Sequence, residues 1–86
     1  MAHKKWILSS HAVYRLNARN ITRDQVELVI DNPDQIVKED SCKHIFQKKI
    51  MTGQTLFLYR VIMNVCKNPN LVITAYRTTK IEKYEY

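Results

Sequence analysis

"SSHAVYRLNARNITRDQVELVIDNP", residues 9–33, decides the fold class, because it holds the start and stop signals of two helices before the hydrophobic period changes. Ser9 or Ser10 suits the cap of a helix over 10–19, in which Ala12, Val13 and Leu16 make an apolar stripe at three- and four-residue spacing. Asn20 suits its end. Thr22 and Gln25 fit the reciprocal capping box, with Ile21 and Val26 at the staple positions around it. A second helix then runs to about Asp31, burying Val26, Val29 and Ile30, until Asn32 and Pro33 stop it.

Beyond Pro33, "QIVKE", "KHIFQKKI", "TLFLYRVIMNV" and "LVITAY" are rich in β-branched and aromatic residues. Turn residues in "DSC", "MTGQ" and "CKNPN" separate them. The expected fold is therefore α+β in a single domain over 1–86: two N-terminal helices packed on one face of a four-stranded, mainly antiparallel sheet whose other face is free. Trp6 and Ile7 are expected to anchor the chain start to the core. The tail "TTKIEKYEY" extends the last strand or forms a short final element.

A chain of 86 residues with 45% apolar residues, one Gly and two Pro is sized and composed for one folded core. No apolar run approaches the roughly 18 residues that span a bilayer, so a cytoplasmic protein with no membrane partner is expected. Cys42 and Cys66 lack CxxC spacing and read as ordinary buried thiols, while His3, His11 and His44 share no metal-ligand spacing. Neither a metal nor another cofactor is expected. His44, in a strand beside Ile45 and Phe46, reads as structural.

Charge is segregated along the chain. Six of the eight acidic residues lie between Asp24 and Asp40, whereas Met1–Arg23 holds five Lys or Arg with no carboxylate and Ser41–Ile81 holds seven with none. A positive field over part of the surface suits a polyanion, and the acidic stretch suits solvation or a dimer contact.

His11, Arg15 and Arg19 recur every four residues and so share one face of the first helix, drifting about 40° per step. They are a phosphate-handling row or a solvated face in which Arg15 pairs with an acid such as Asp31. Neighbouring arginines favour the neutral, proton-accepting imidazole of His11. In the last strand, alternation puts Leu71, Ile73, Ala75 and Arg77 on the core face and Val72, Thr74, Tyr76 and Thr78 on the open one. Tyr59 and Arg60 lie on opposite faces of their strand, with nothing to say which is which.

The spacing "SxHAxxRxxxRxIT" at 9–22 and the ending "LVITAYRTTKIEKY" at 71–84 resemble a small bacterial and archaeal family of unknown function. Its members are similar to RelE, ParE and BrnT toxins, within the group of barnase-like and RelE-like folds. The resemblance implies metal-independent RNA cleavage by a toxin of a toxin–antitoxin pair, at a surface where the first helix meets the last strands. It implies His11, Arg15, Arg19 and Tyr76 as catalytic residues and Thr74 and Arg77 as substrate-binding ones. His11 would take the proton of a ribose 2′-hydroxyl, Tyr76 would donate to the leaving oxygen or stack a base, and the arginines would hold the phosphate. Implied partners are RNA, free or on the ribosome, a cognate antitoxin and a second copy. RelE-like members rely on basic and tyrosine residues rather than histidine, and ParE-like members act on DNA gyrase, so a non-catalytic binding module is the alternative.

Overall fold

The computed structural model describes residues 6–84. Its elements in chain order are β1 (Trp6–Leu8), α1 (Ser10–Ala18), α2 (Arg23–Asp31), β2 (Gln35–Lys38), β3 (Lys43–Thr52), β4 (Thr55–Asn64), β5 (Asn70–Thr78) and a 3-10 turn at Ile81–Tyr84. The fold is α+β, but the sheet has five strands in the order β1-β5-β4-β3-β2, and β1 runs parallel to β5. This corrects the expectation of four mainly antiparallel strands. Three residues between Lys5 and Ser9 are too few for a period of two to show, so β1 read only as an anchor. Trp6 does anchor, at 4% exposure, whereas Ile7 stands 48% exposed on the other face.

Both helices begin and end on local chemistry. The Ala12 N–H donates to Ser9 Oγ at 2.9 Å, so Ser9 caps α1. Asn20 adopts φ 55°, and the Ile21 N–H reaches back to the Leu16 carbonyl at 3.0 Å, a Schellman ending that tolerates asparagine in the left-handed region. At α2 both bonds of the Thr22–Gln25 capping box form, at 3.1 and 2.9 Å. Ala12, Leu16, Val26 and Val29 bury against Tyr59, Val61, Met63, Val72 and Ala75 of the sheet.

A register shift between Ile62 and Met63 pairs Ile62 with Thr74 but Met63 with Val72, leaving Ile73 as the extra residue of a bulge. Simple alternation assigned Val72 to the open face and Leu71 and Ile73 to the core. The bulge reverses this: Val72, at 0% exposure, joins Ala75 against the helices, while Leu71 and Ile73 are only half-buried. The opposite face is not free either. Ile45, Leu58 and Ile62 are buried there, and the tail folds into the 3-10 turn, whose Tyr84 carbonyl accepts from Gln47.

Cys42 and Cys66 are joined in a disulfide, correcting their reading as buried thiols. Cys42 precedes and Cys66 follows the end of the β3–β4 ladder, where Lys43 pairs with Asn64, and the Val65 N–H donates to the Cys42 carbonyl at 2.7 Å. The pairing follows from hairpin register, which a spacing motif does not encode. Such a bond persists in oxidising surroundings and opens in a reducing cytosol. No helix among the described residues is long and apolar enough to cross a membrane.

Two predictions follow from these links. The bond closes a loop of sequence separation 24, a length worth about 3 kcal/mol. Reduction, or the double change Cys42→Ser and Cys66→Ser, should lower Tm by roughly 10–20 °C in a scanning calorimeter. The Asp34 carboxylate accepts the Lys49 N–H at 2.8 Å and Lys48 Nζ at 3.3 Å, which hold it below its usual pKa of 3.8, the backbone bond contributing most. A depressed carboxylate stabilises the fold above its unfolded value, and that contribution is lost as pH falls below about 3.8 and through the folded value. Asp34→Asn should therefore flatten the acid limb of a stability-versus-pH curve below pH 4.

Candidate functional site

Ser9 ends β1 and opens α1, and it holds the helix against β5. Its N–H donates to the Val72 carbonyl at 3.1 Å and its Oγ donates to the Ile73 carbonyl at 3.2 Å. From that fixed start, burial of Ala12 and Leu16 points His11, Arg15 and Arg19 along one flank of α1. His11 is exposed, and its imidazole makes no hydrogen bond among the described residues. Arg15 is half-buried, and its buried Nε has no partner. Arg19 Nη1 donates to the Ala75 carbonyl at 2.8 Å, which brings the end of the row onto β5.

Two residues further along β5, Arg77 projects on the same face as Ala75. Its Nη1 donates to the Tyr59 hydroxyl at 3.0 Å, and its guanidinium lies 4.5 Å over the Phe57 ring. The Tyr59 hydroxyl also meets Thr52 Oγ1 at 3.1 Å and Gln25 Nε2 at 3.3 Å, so it is buried and fully engaged. His11, Arg15, Arg19 and Arg77 thus belong to the helix side of the sheet.

Tyr76 and Thr74 belong to the other side. The Tyr76 hydroxyl accepts from Arg60 Nη1 at 2.6 Å, and Arg60 Nε donates to Gln47 Oε1 at 3.0 Å. The Tyr84 ring lies 4.2 Å from the same guanidinium and meets the Tyr76 ring edge-on at 6.3 Å. Burial raises the Tyr76 phenol above its usual 10.0, opposed by the Arg60 bond. Since the backbone layer separates the two sets, one phosphate cannot touch His11 and Tyr76 together. The six residues expected to form one site are divided four and two.

Sequence reasoning missed Gln47 and Arg60, which are 2% and 5% exposed. Their signal lay in the register: Arg60 pairs with both Gln47 and Tyr76, so once Tyr76 is placed, Arg60 and Gln47 share its face. Arg60 and Tyr59 are thereby assigned to opposite faces, with Tyr59 toward the helices.

Charge pairing is uneven. The ion pairs seen join Lys43 to Glu39 at 3.2 Å and Lys48 to Asp34 at 3.3 Å, so both use lysine. Among the described residues none of Arg15, Arg19, Arg23, Arg60 and Arg77 is ion-paired; their contacts are carbonyls, amides, hydroxyls and aromatic rings. The alternative in which Arg15 pairs with an acid such as Asp31 is not seen among the described residues. Nor do three or more His, Cys, Asp or Glu among the described residues gather where a metal could be held.

No curated protein and no solved structure matches this chain. Residues 8–77 do match a family described as "Domain of unknown function (DUF4258)", a span from the last residue of β1 to Arg77 that includes all six expected site residues and leaves Tyr84 outside. Since that span covers most of the chain, the protein belongs to the DUF4258 family.

Proposed function

We propose that this protein is a metal-independent endoribonuclease of a toxin–antitoxin type, similar to RelE-, ParE- and BrnT-like toxins. The observation that carries the reading is the set of arginines around β5, none of which is ion-paired to a carboxylate among the described residues. A charge as costly to desolvate as a half-buried guanidinium is normally paired, and its planar fork suits phosphate oxygens. Arg15, Arg19 and Arg77 on the helix side then hold one phosphate and its developing charge. His11, the titratable group of the same row, removes the proton from a ribose 2′-hydroxyl. The 2′-oxygen attacks phosphorus, a 2′,3′-cyclic phosphate forms, and the departing 5′-oxygen takes a proton from solvent.

Tyr76 and Thr74, across the sheet, have a separate task in this scheme: they offer hydroxyls and a ring to a neighbouring nucleotide, with buried Arg60 holding the Tyr76 hydroxyl from behind. RNA, free or on the ribosome, is the substrate class; the cytoplasm, where Cys42 and Cys66 would be held as thiols, is the place of action; and a cognate antitoxin and a second copy are the protein partners. A non-catalytic module that binds nucleic acid, or targets gyrase as ParE-like proteins do, is the second reading. What favours it is the exposed His11, whose imidazole no hydrogen bond orients among the described residues.

Two measurements separate the readings. Purified protein incubated with total RNA in EDTA, with and without ribosomes, should give fragments ending in cyclic phosphate, and His11→Ala should slow cleavage by about 10²-fold or more. RNA that survives both proteins equally leaves only the binding reading. Replacing Arg15 and Arg19 together with alanine should weaken RNA binding and reduce the slope of log K against log salt by roughly 1.4, the release expected for two single-strand phosphate contacts.

A further inference from the structure

At the edge of the sheet, β1 borders a cleft of about 410 Å³ whose apolar lining includes Leu8, Val13, Leu16 and Ile21, and whose polar lining includes Asn17 and Arg23. We infer that this cleft and the β1 edge together dock an extended acidic segment of a partner protein, which adds to the sheet as a sixth strand. Backbone geometry is the first ground. In a parallel ladder alternate residues face the neighbouring strand, and the Ser9 N–H bonds to Val72 of β5, so Ile7 and Ser9 face inward and Leu8 faces out. The N–H and C=O of Leu8 have no partner among the described residues, while its side chain lines the cleft.

A strand edge with unpaired backbone groups is a template for another strand, and proteins usually blunt it with charge or cover. Here the edge carries apolar surface instead: Ile7 is 48% and Val13 45% exposed. An incoming strand would pair with Leu8 and set one apolar side chain in the cleft, the usual economy of strand addition.

Charge selects the partner. Arg23, which lines the cleft and stacks 4.9 Å over the Trp6 ring, has no carboxylate partner among the described residues. An acidic strand is complementary to this edge. The chain's own β2 has related chemistry, with Ile36 43% exposed between Asp34 and Glu39, and it forms the opposite edge. Pairing β1 of one copy with β2 of the next would be head-to-tail, giving a ring if the rotation closes and an open filament if it does not. The occupant inferred is a different protein, and self-association is the outcome that overturns it.

This docking site lies on the flank of α1 opposite His11 and Arg15, and it stands whether or not the protein cleaves RNA. The test uses the intact protein and a fluorescent synthetic peptide of about eight residues, a usual strand length, alternating isoleucine with aspartate. Fluorescence anisotropy should show it binding about tenfold or more tightly than a peptide alternating isoleucine with lysine. Val13→Asp and Arg23→Glu should each weaken binding by about tenfold, with the folded signal in circular dichroism retained. The Leu8 amide should gain hydrogen-exchange protection on binding, and proline at the centre of the peptide should abolish it. Val13→Asp should leave RNA cleavage unchanged, so failure of either reading is visible without the other. Equal binding of both peptides, indifference to Val13→Asp, or concentration-dependent self-association that Val13→Asp removes would each overturn the assignment.

Discussion

Everything in this fold that bears on function depends on how Ser9 joins β1 to α1. Three of its bonds make the joint: its N–H closes the β1–β5 ladder on Val72, its Oγ donates to the Ile73 carbonyl, and the same Oγ accepts the Ala12 N–H. A capping bond of this kind contributes about 1 kcal/mol. Its larger effect is geometric, because it fixes where α1 starts on β5 and how the helix is rotated. The flank that carries His11, Arg15 and Arg19 and the flank that carries Val13 and Asn17 follow from that rotation.

The bulge at Ile73 is the second constraint, and it shows which part of the structure was legible in the sequence. Helix limits were legible, since caps, the Thr22–Gln25 box and the Asn32–Pro33 stop are local chemistry between neighbours in the chain. Strand existence was legible for β2 to β5 from composition and turns. Sheet facing in β5 was not, because an inserted residue changes the phase of every position before it, and no residue type at Leu71–Thr74 announces the insertion. The same holds for β1, three residues long and parallel to a strand some sixty residues away, as the pairing of Trp6 with Asn70 shows. The Cys42–Cys66 bond was hidden for a related reason: it depends on a register between two strands, not on a motif within one.

The candidate site was legible as a set of residue types and not as a shape. Spacing alone put His11, Arg15 and Arg19 on one face, and the structure agrees, with Arg77 added through Ala75 and Tyr59. Alternation alone put Tyr76 and Thr74 on the other face of β5, which the pairing of Tyr76 with Arg60 bears out. The chain signal did not reveal that Arg60 is buried without a carboxylate partner among the described residues. Its charge is accommodated by the Gln47 amide oxygen, the Tyr76 hydroxyl and the Tyr84 ring face, each of which offers electron density without neutralising the ion.

The two flanks of α1 separate the two proposed binding modes, which the charge pattern alone would merge. Both lie in the acid-free stretch Met1–Arg23 and so share one positive field. On the His11 flank that field acts through guanidiniums set against strand carbonyls and hydroxyls, a polar arrangement with little apolar surface to bury. On the Val13 flank it surrounds an apolar cleft and an unpaired strand edge, where most of the contact would be hydrophobic and backbone-directed. A flexible single-stranded polyanion satisfies the first arrangement and gains nothing from the second; an acidic strand with an apolar side chain does the reverse. Because Leu16 lies between the flanks and is 4% exposed, with α1 packed on β5 beneath it, a ligand on either side presses on the same helix. Occupying one flank can then alter the other only through a shift of α1 against β5, and the three bonds of Ser9 are what resist that shift.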